Sequence, residues 1–417
     1  MILRAPAAAL VVLLLAGCGG GSSPTTPLAS ASPTPSAGRS ENMVLRAHLD
    51  LAALTGQPGA SGAGNYGYTS PDGRRFALTG TSLGLSIVEV SDPRNPRNAA
   101  FIPAATPSQW REVRTYGEYV YSVTEARIGM EIVSMRNPDR PERVQTWSRT
   151  FQSAHSLWID QERGLLFANG ANGRTGGMRV LDLRANPADP TELSSFSGFY
   201  VHDSYTRGNT LYAAAINDGF VGILDASNPA NLVETSRFAT GGRFTHNAWL
   251  TRDGRYLFTT DERPDRPVEG WDLMNPLAPR KVAEYIGAPG TIPHNVLVDG
   301  DRLLIAHYTE GVHLLDVRNP ERPLRLGSYD TFTNATCASF PFCGCWGAYI
   351  FPGSNIVVAS DISGGLYVIE YTGPCAACWS RWGSAGATWW RRWGRAARRR
   401  SCARSTPRPE RAAGPSC

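Results

Sequence analysis

The sequence predicts an all-β fold, a seven-bladed β-propeller over residues 43–371 whose last blade is closed by the N-terminal strand. Three observations predict it. An apolar strand followed by an Asn-Pro or Asp-Pro turn recurs six times, and a seventh strand of the same kind lacks the turn. The repeats average about 47 residues, the length of a four-stranded blade. The 417-residue chain holds 43 Gly and 30 Pro but only 18% charged residues. That balance disfavours coiled coils and helical bundles, which need charge-rich helical faces. The one long apolar run lies at the N-terminus, which also excludes a multi-pass membrane protein.

Residues 1–17 read as a signal peptide, with Arg4 as the positive region and Ala7 to Leu15 as the apolar stretch. The stretch is too short to span a bilayer comfortably, since about 20 residues are needed. The boundary Leu15-Ala16-Gly17-Cys18 resembles a bacterial lipobox. That resemblance implies that Cys18 becomes the lipidated N-terminus and anchors the protein to a membrane. Gly19, where an Asp would retain a Gram-negative lipoprotein at the inner membrane, implies delivery to the outer membrane or cell surface. Residues 18–42 then form a Gly/Ser/Thr/Pro tether with almost no bulky apolar side chain. Such a segment cannot bury enough surface to fold, and it is expected to be disordered.

The repeating strand-and-turn units are 85–93, 131–138, 178–187, 221–229, 269–276 and 312–320, and the turnless seventh strand is 366–371. A hairpin precedes each, as in 249–259 with Asp253-Gly254 at the turn, and a fourth segment such as 280–285 usually follows. The last repeat supplies only three strands. Met43 to Leu51 matches the pattern of the missing outer strand, so the ring is expected to close there and hide its edges. The Pro of each turn ends a strand and the preceding Asp or Asn bonds its own backbone, which makes these residues structural.

The last segment, 372–417, is compositionally foreign. It holds four of the eight Cys, five of the eleven Trp and ten Arg, with one acid, Glu410. Without it the chain carries a net charge of −4 rather than +5. The folded part is mildly acidic and lacks the footprint of a nucleic-acid binder. Cys375 and Cys378 form a CxxC pair with no second pair at ligand spacing. The segment reads as an unselected, disordered end, the alternative being a contact with anionic lipid. Export permits disulfides. Cys337 is expected to pair with Cys343 or Cys345, and the spacing does not choose between them.

Four of the seven His share one register. His155, His202, His246 and His294 each stand at the start of a blade's first strand, separated by 47, 44 and 48 residues. Trp110, Arg111 and Glu112 hold this place in the second blade and Trp346 in the seventh. A second register lies after the second strand: Glu125, Asn169, Asn217, Asp261 with Glu262, Tyr308 and Asp361. Antiparallel pairing puts both registers at one mouth of the channel. Converging imidazoles and carboxylates, here the four His with Glu125, Asp261 and Glu262, suit Zn²⁺ or Cu²⁺. Carboxylates and amides alone suit Ca²⁺. The competing reading is that a repeated His bonds its neighbour's backbone and locks blade to blade. His48, His307 and His313 fall outside the register and read as ordinary strand residues.

These strands resemble the bacterial LVIVD-repeat propellers, and more specifically the choice-of-anchor B family. The resemblance rests on Gln109 to Val113, Ser153 to His155, His202-Asp203, Thr245 to Trp249, Pro293 to Asn295 and Ser360 to Ile362, and covers roughly 65–371. It implies an extracellular protein whose anchor here is the lipobox, and it implies no established reaction. The Cys-bearing insert 336–345 and the segment after Gly373 depart from the family pattern. Three function classes follow: a surface-tethered module binding a small molecule or protein at one channel mouth, a metal-dependent hydrolase or oxidoreductase at the same mouth, and a purely structural surface protein. No Gly-rich phosphate loop that follows a strand and opens a helix is expected in this pattern.

Overall fold

The computed structural model describes residues 39–173, 176–332 and 342–374. Cys18, Cys337 and most of the 372–417 segment therefore lie outside the described residues. The described chain forms seven antiparallel sheets, the blades of a β-propeller. The first blade runs Gly62–Thr69, Arg75–Thr81, Gly84–Glu89 and Arg97–Pro103, each strand pairing with the next. The same order repeats in the next five blades, which begin at Arg111, Ser156, Asp203, Thr245 and Asn295. The seventh takes Cys345–Ile350, Ile356–Asp361 and Gly365–Tyr371 from one end of the fold and Met43–Leu49 from the other. Met43 sits opposite Tyr371 and Leu49 opposite Leu366. The ring closes as the sequence predicts.

Burial explains the strand types. The third strand of the fourth blade, Phe220–Asp225, is buried along all but its last residue. A strand covered on both faces reads as a continuous apolar run, which is why the repeat is so visible in the sequence. The outer strand Val233–Ala239 instead alternates exposed and half-buried positions. The Asp that ends a third strand caps the following turn: Asp225 accepts from Ser227 N at 2.8 Å and Asp316 from Arg318 N at 2.9 Å. The Asn before Pro does the same two residues on, as Asn228 does for Ala230 N at 3.1 Å. These turn residues are structural, each holding a donor that the strand no longer pairs. Aromatic side chains join blades; Trp158 packs 4.7 Å from Tyr205 and 5.1 Å from Trp249, across three successive blades.

Two local departures from the sequence reading lie near the N-terminus. Ser40–Glu41 pairs with Leu324–Tyr329 and adds a fifth strand to the sixth blade, so chain order starts before residue 42. The closing strand also ends at Leu49, not Leu51. Asp50 there accepts from Ala53 N at 2.7 Å and caps a five-residue helix, Leu51–Thr55. Gly56 ends that helix with φ 69°, a left-handed conformation that glycine adopts without penalty. Among the described residues no helix is long and apolar enough to cross a membrane.

Candidate functional site

The first strand of each blade faces the channel, and pairing fixes what meets at its end. Ser156 lies opposite Asn169, Asp203 opposite Ala214, Thr245 opposite Asp261 and Asn295 opposite Ala306. The two registers read from the sequence therefore occur at the same end of the blades. His155, His202 and His294 stand immediately before their strands, and His246 occupies a bulge between Thr245 and Asn247.

The four imidazoles form a continuous arc. Ring centroids are 4.1 Å apart for His155 and His202, 4.2 Å for His202 and His246, and 4.2 Å for His246 and His294. Trp346, 4.9 Å from His294, extends the arc into the seventh blade. Each Nδ1 has its own circumstance. That of His202 donates to the His246 carbonyl at 3.1 Å, and that of His294 donates to the Trp346 carbonyl at 2.5 Å. A carbonyl only accepts, so these two rings carry their proton on Nδ1 and leave a lone pair on Nε2. The Nδ1 of His246 lacks a hydrogen-bond partner of good geometry, although the His294 backbone still acts on it. His155 turns to the preceding blade and meets Glu125 Oε1 at 2.7 Å.

Burial keeps three rings of the arc neutral. Burial holds His202 and His246 well below the ordinary imidazole range, and the neighbouring rings add to that. Burial takes His294 down to about 3. Three carboxyl groups share this end of the channel with them, and burial raises all three. Glu112 accepts from Trp346 Nε1 at 2.8 Å and faces Arg114 at 3.6 Å. Asp203 accepts from Asn247 Nδ2 at 2.5 Å and from its neighbour Ser204 N at 2.8 Å. Glu262 is raised to about 7 even though Tyr308 donates its hydroxyl to Oε1 at 2.6 Å. The His arc, Glu112 and Asp203 line a small, narrow cavity at this end of the channel.

Several residues singled out from the sequence do other work. Asp261 does not face the imidazoles; it accepts from Thr240 Oγ1, Gly242 N and Phe244 N at 2.7, 2.7 and 2.8 Å and so pins the loop ahead of its own blade. Asp361 accepts from Thr331 Oγ1, Ser363 N and Gly364 N and caps its own turn. Arg111 is fully buried between blades, bonded to Glu131 at 2.5 Å and to the Thr81 carbonyl at 3.1 Å. Asn217 is exposed in a turn, and Trp110 is 42% exposed. Cys345 is a buried free thiol while Cys343 is disulfide-bonded, which removes Cys345 from the two pairings open in the sequence. His313 is a strand residue of the sixth blade, whereas His307 follows the strand Arg302–Ala306, and their rings stack at 5.2 Å. Sequence reasoning missed Asp203 and Arg114 as channel residues. Strand alternation carried the signal for Arg114, two residues after Glu112 on the same face.

Glu262, His246 and His294 come together. Glu262 Oε2 lies 3.8 Å from His246 Nε2, and Oε1 lies 3.7 Å from His294 Nε2. The three donor atoms all fall within 4.8 Å of one another, a group that can hold a metal ion. Tyr308, which orients Glu262, has φ 28°, a conformation that costs a non-glycine residue of order 1–3 kcal/mol. Its carbonyl is held by Cys345 N at 2.9 Å, so the seventh blade enforces that geometry.

No curated protein matches the chain. Residues 202–240, from the second imidazole of the arc to the end of the fourth blade, match the LVIVD repeat family model, and the chain is thus a seven-bladed propeller with an LVIVD repeat as its fourth blade.

Proposed function

We propose that this protein is an exported, lipid-tethered binding module of the choice-of-anchor B type that takes its ligand at the histidine-bearing mouth of the channel. One observation carries the reading. Four imidazoles in close succession, three of them kept neutral by burial, line one cavity with the carboxyl groups of Glu112 and Asp203, and buried polar groups are costly unless they are paired or bound. A panel of soluble probes tests it: divalent cations, small carboxylic acids, inorganic phosphate and neutral oligosaccharides, read by thermal shift and calorimetry on wild type and His202→Ala. A probe whose affinity drops about tenfold or more in the variant supports the reading. Equal binding of every probe to both proteins, or none to either, overturns it. The tether is tested separately. Fatty-acid analogue labelling of cells is expected for wild type and absent for Cys18→Ser.

A second reading has its own observation. His202 and His294 each bond a carbonyl at the head of the next blade, a lock between neighbours. If locking is their whole purpose, His202→Ala loses stability of order 1–3 kcal/mol and no probe distinguishes it from wild type.

A further inference from the structure

We propose that His246, His294 and Glu262 hold a borderline first-row transition-metal ion, of the Zn²⁺ class, at the channel mouth. This rests on the binding-module reading and names the first ligand of that site. A tetrahedral ion with bonds of about 2.0–2.2 Å spaces its donors by roughly 3.3–3.6 Å. The Nε2 atoms of His246 and His294 lie 3.8 and 3.7 Å from the two different oxygens of Glu262, and one donor atom from each residue falls within 4.8 Å of the others, so contraction by about 1 Å through side-chain rotation would bring the three onto one ion. Among the described residues no other three His, Cys, Asp or Glu side chains cluster this closely.

The surroundings are built for such an ion. His246 and His294 are 4% and 2% exposed, and the Glu262 side chain is half-buried beside them, so two of the three ligands are held within the packed rim. The Nδ1 proton of His294 is fixed on the Trp346 carbonyl, which aims the Nε2 lone pair at Glu262. Metal-bound imidazoles characteristically donate their other nitrogen in this way. Tyr308 does the matching service for the carboxylate, donating to Oε1 at 2.6 Å from a strained backbone that the last blade pins. Hard cations fit poorly: Ca²⁺ takes six to eight oxygens, whereas two of the three donors here are nitrogens. Three protein ligands leave a tetrahedral ion one open position, so an anionic ligand in the cavity has a Lewis acid to bind.

The experiment uses the full chain without an affinity tag, stripped by chelator and dialysed. Zn²⁺ is titrated by calorimetry, and Co²⁺ is followed by its visible absorption. One equivalent of Zn²⁺ per chain is expected, with an affinity reduced about 100-fold in Glu262→Gln and about 10- to 100-fold in Tyr308→Phe. Near-UV circular dichroism checks that both variants fold. If Glu262→Gln does not fold, the ¹⁵N shifts of the imidazoles in wild type decide: Zn²⁺ must move the Nε2 signals of His246 and His294. Absence of stoichiometric binding, equal affinity in wild type and Glu262→Gln, or Ca²⁺ binding as tightly as Zn²⁺ overturns the proposal. If an organic probe then still binds in a His202-dependent manner, the binding module stands and the metal site alone falls.

Discussion

His313 shows at the scale of one residue what a neutral buried imidazole does to stability. Burial, with His307 and Arg325 nearby, takes it from the ordinary 6.5 to about 3. Its Nδ1 meets the Tyr285 hydroxyl at 2.9 Å, and its ring stacks on His307. The unfolded chain takes up a proton here below about pH 6.5 while the folded chain does not until about pH 3. Stability is therefore lost as pH falls through that window. Between pH 7.5 and 5 the loss from His313 is about 2 kcal/mol. Urea melts at the two pH values should show a drop smaller by about that amount in His313→Gln, and an unchanged pH dependence refutes the assignment. The residue scale is also where sequence reading was least able to choose. The His register was legible because one residue recurs at blade spacing. Which of Asp261 and Glu262 faces it was not. Thr245 and Asn247 flank a bulge, and a bulge breaks the alternation from which a side chain's direction is read. The last blade repeats the problem at Trp346, between Cys345 and Gly347.

At the scale of the element, the strand Met43–Leu49 ties the two ends of the propeller together. Its Met43, Ala47 and Leu49 are buried against the seventh blade, and without it Gly365–Tyr371 becomes an open edge. Such an edge is a template for pairing with another chain. Deletion through Leu49 should abolish a single cooperative melt and leave the protein aggregating, as scattering during heating would reveal. Deletion of residues up to Glu41 only removes the two-residue strand on the sixth blade and the 2.9 Å Arg325–Glu41 ion pair. That should cost no more than about 1 kcal/mol, the usual worth of an exposed pair. A cooperative melt for the longer deletion means that the ring does not depend on this closure. The closing strand was legible because its apolar pattern matches the other outer strands. The helix Leu51–Thr55 was not, since five residues are too few to display a helical period.

At the scale of the whole molecule, the blade count was readable because each third strand is sandwiched between two others and is therefore mostly apolar. Long-range polar contacts were not. Arg111 and Glu131 lie 20 residues apart, and nothing in either segment announces that their charges are buried together between blades. Ring closure also sets what the segment after the last blade can contribute. Gly365–Tyr371 has Ile356–Asp361 paired on one side and Met43–Leu49 on the other, so both of its edges are filled before the chain leaves the fold. Its core partners are likewise internal, with Tyr367 and Ile369 packed among Val357, Ala359 and Met43. The strand that the chain leaves from therefore offers no free hydrogen-bonding edge to the residues that follow it. Truncation after Gly373 should accordingly shift the melting temperature by no more than about 2 °C, roughly 1.4 kcal/mol for a ring of this size. A fall of about 5 °C or more would mean that the Arg- and Trp-rich segment docks on the propeller, and its composition would then need a structural account instead of a neutral one.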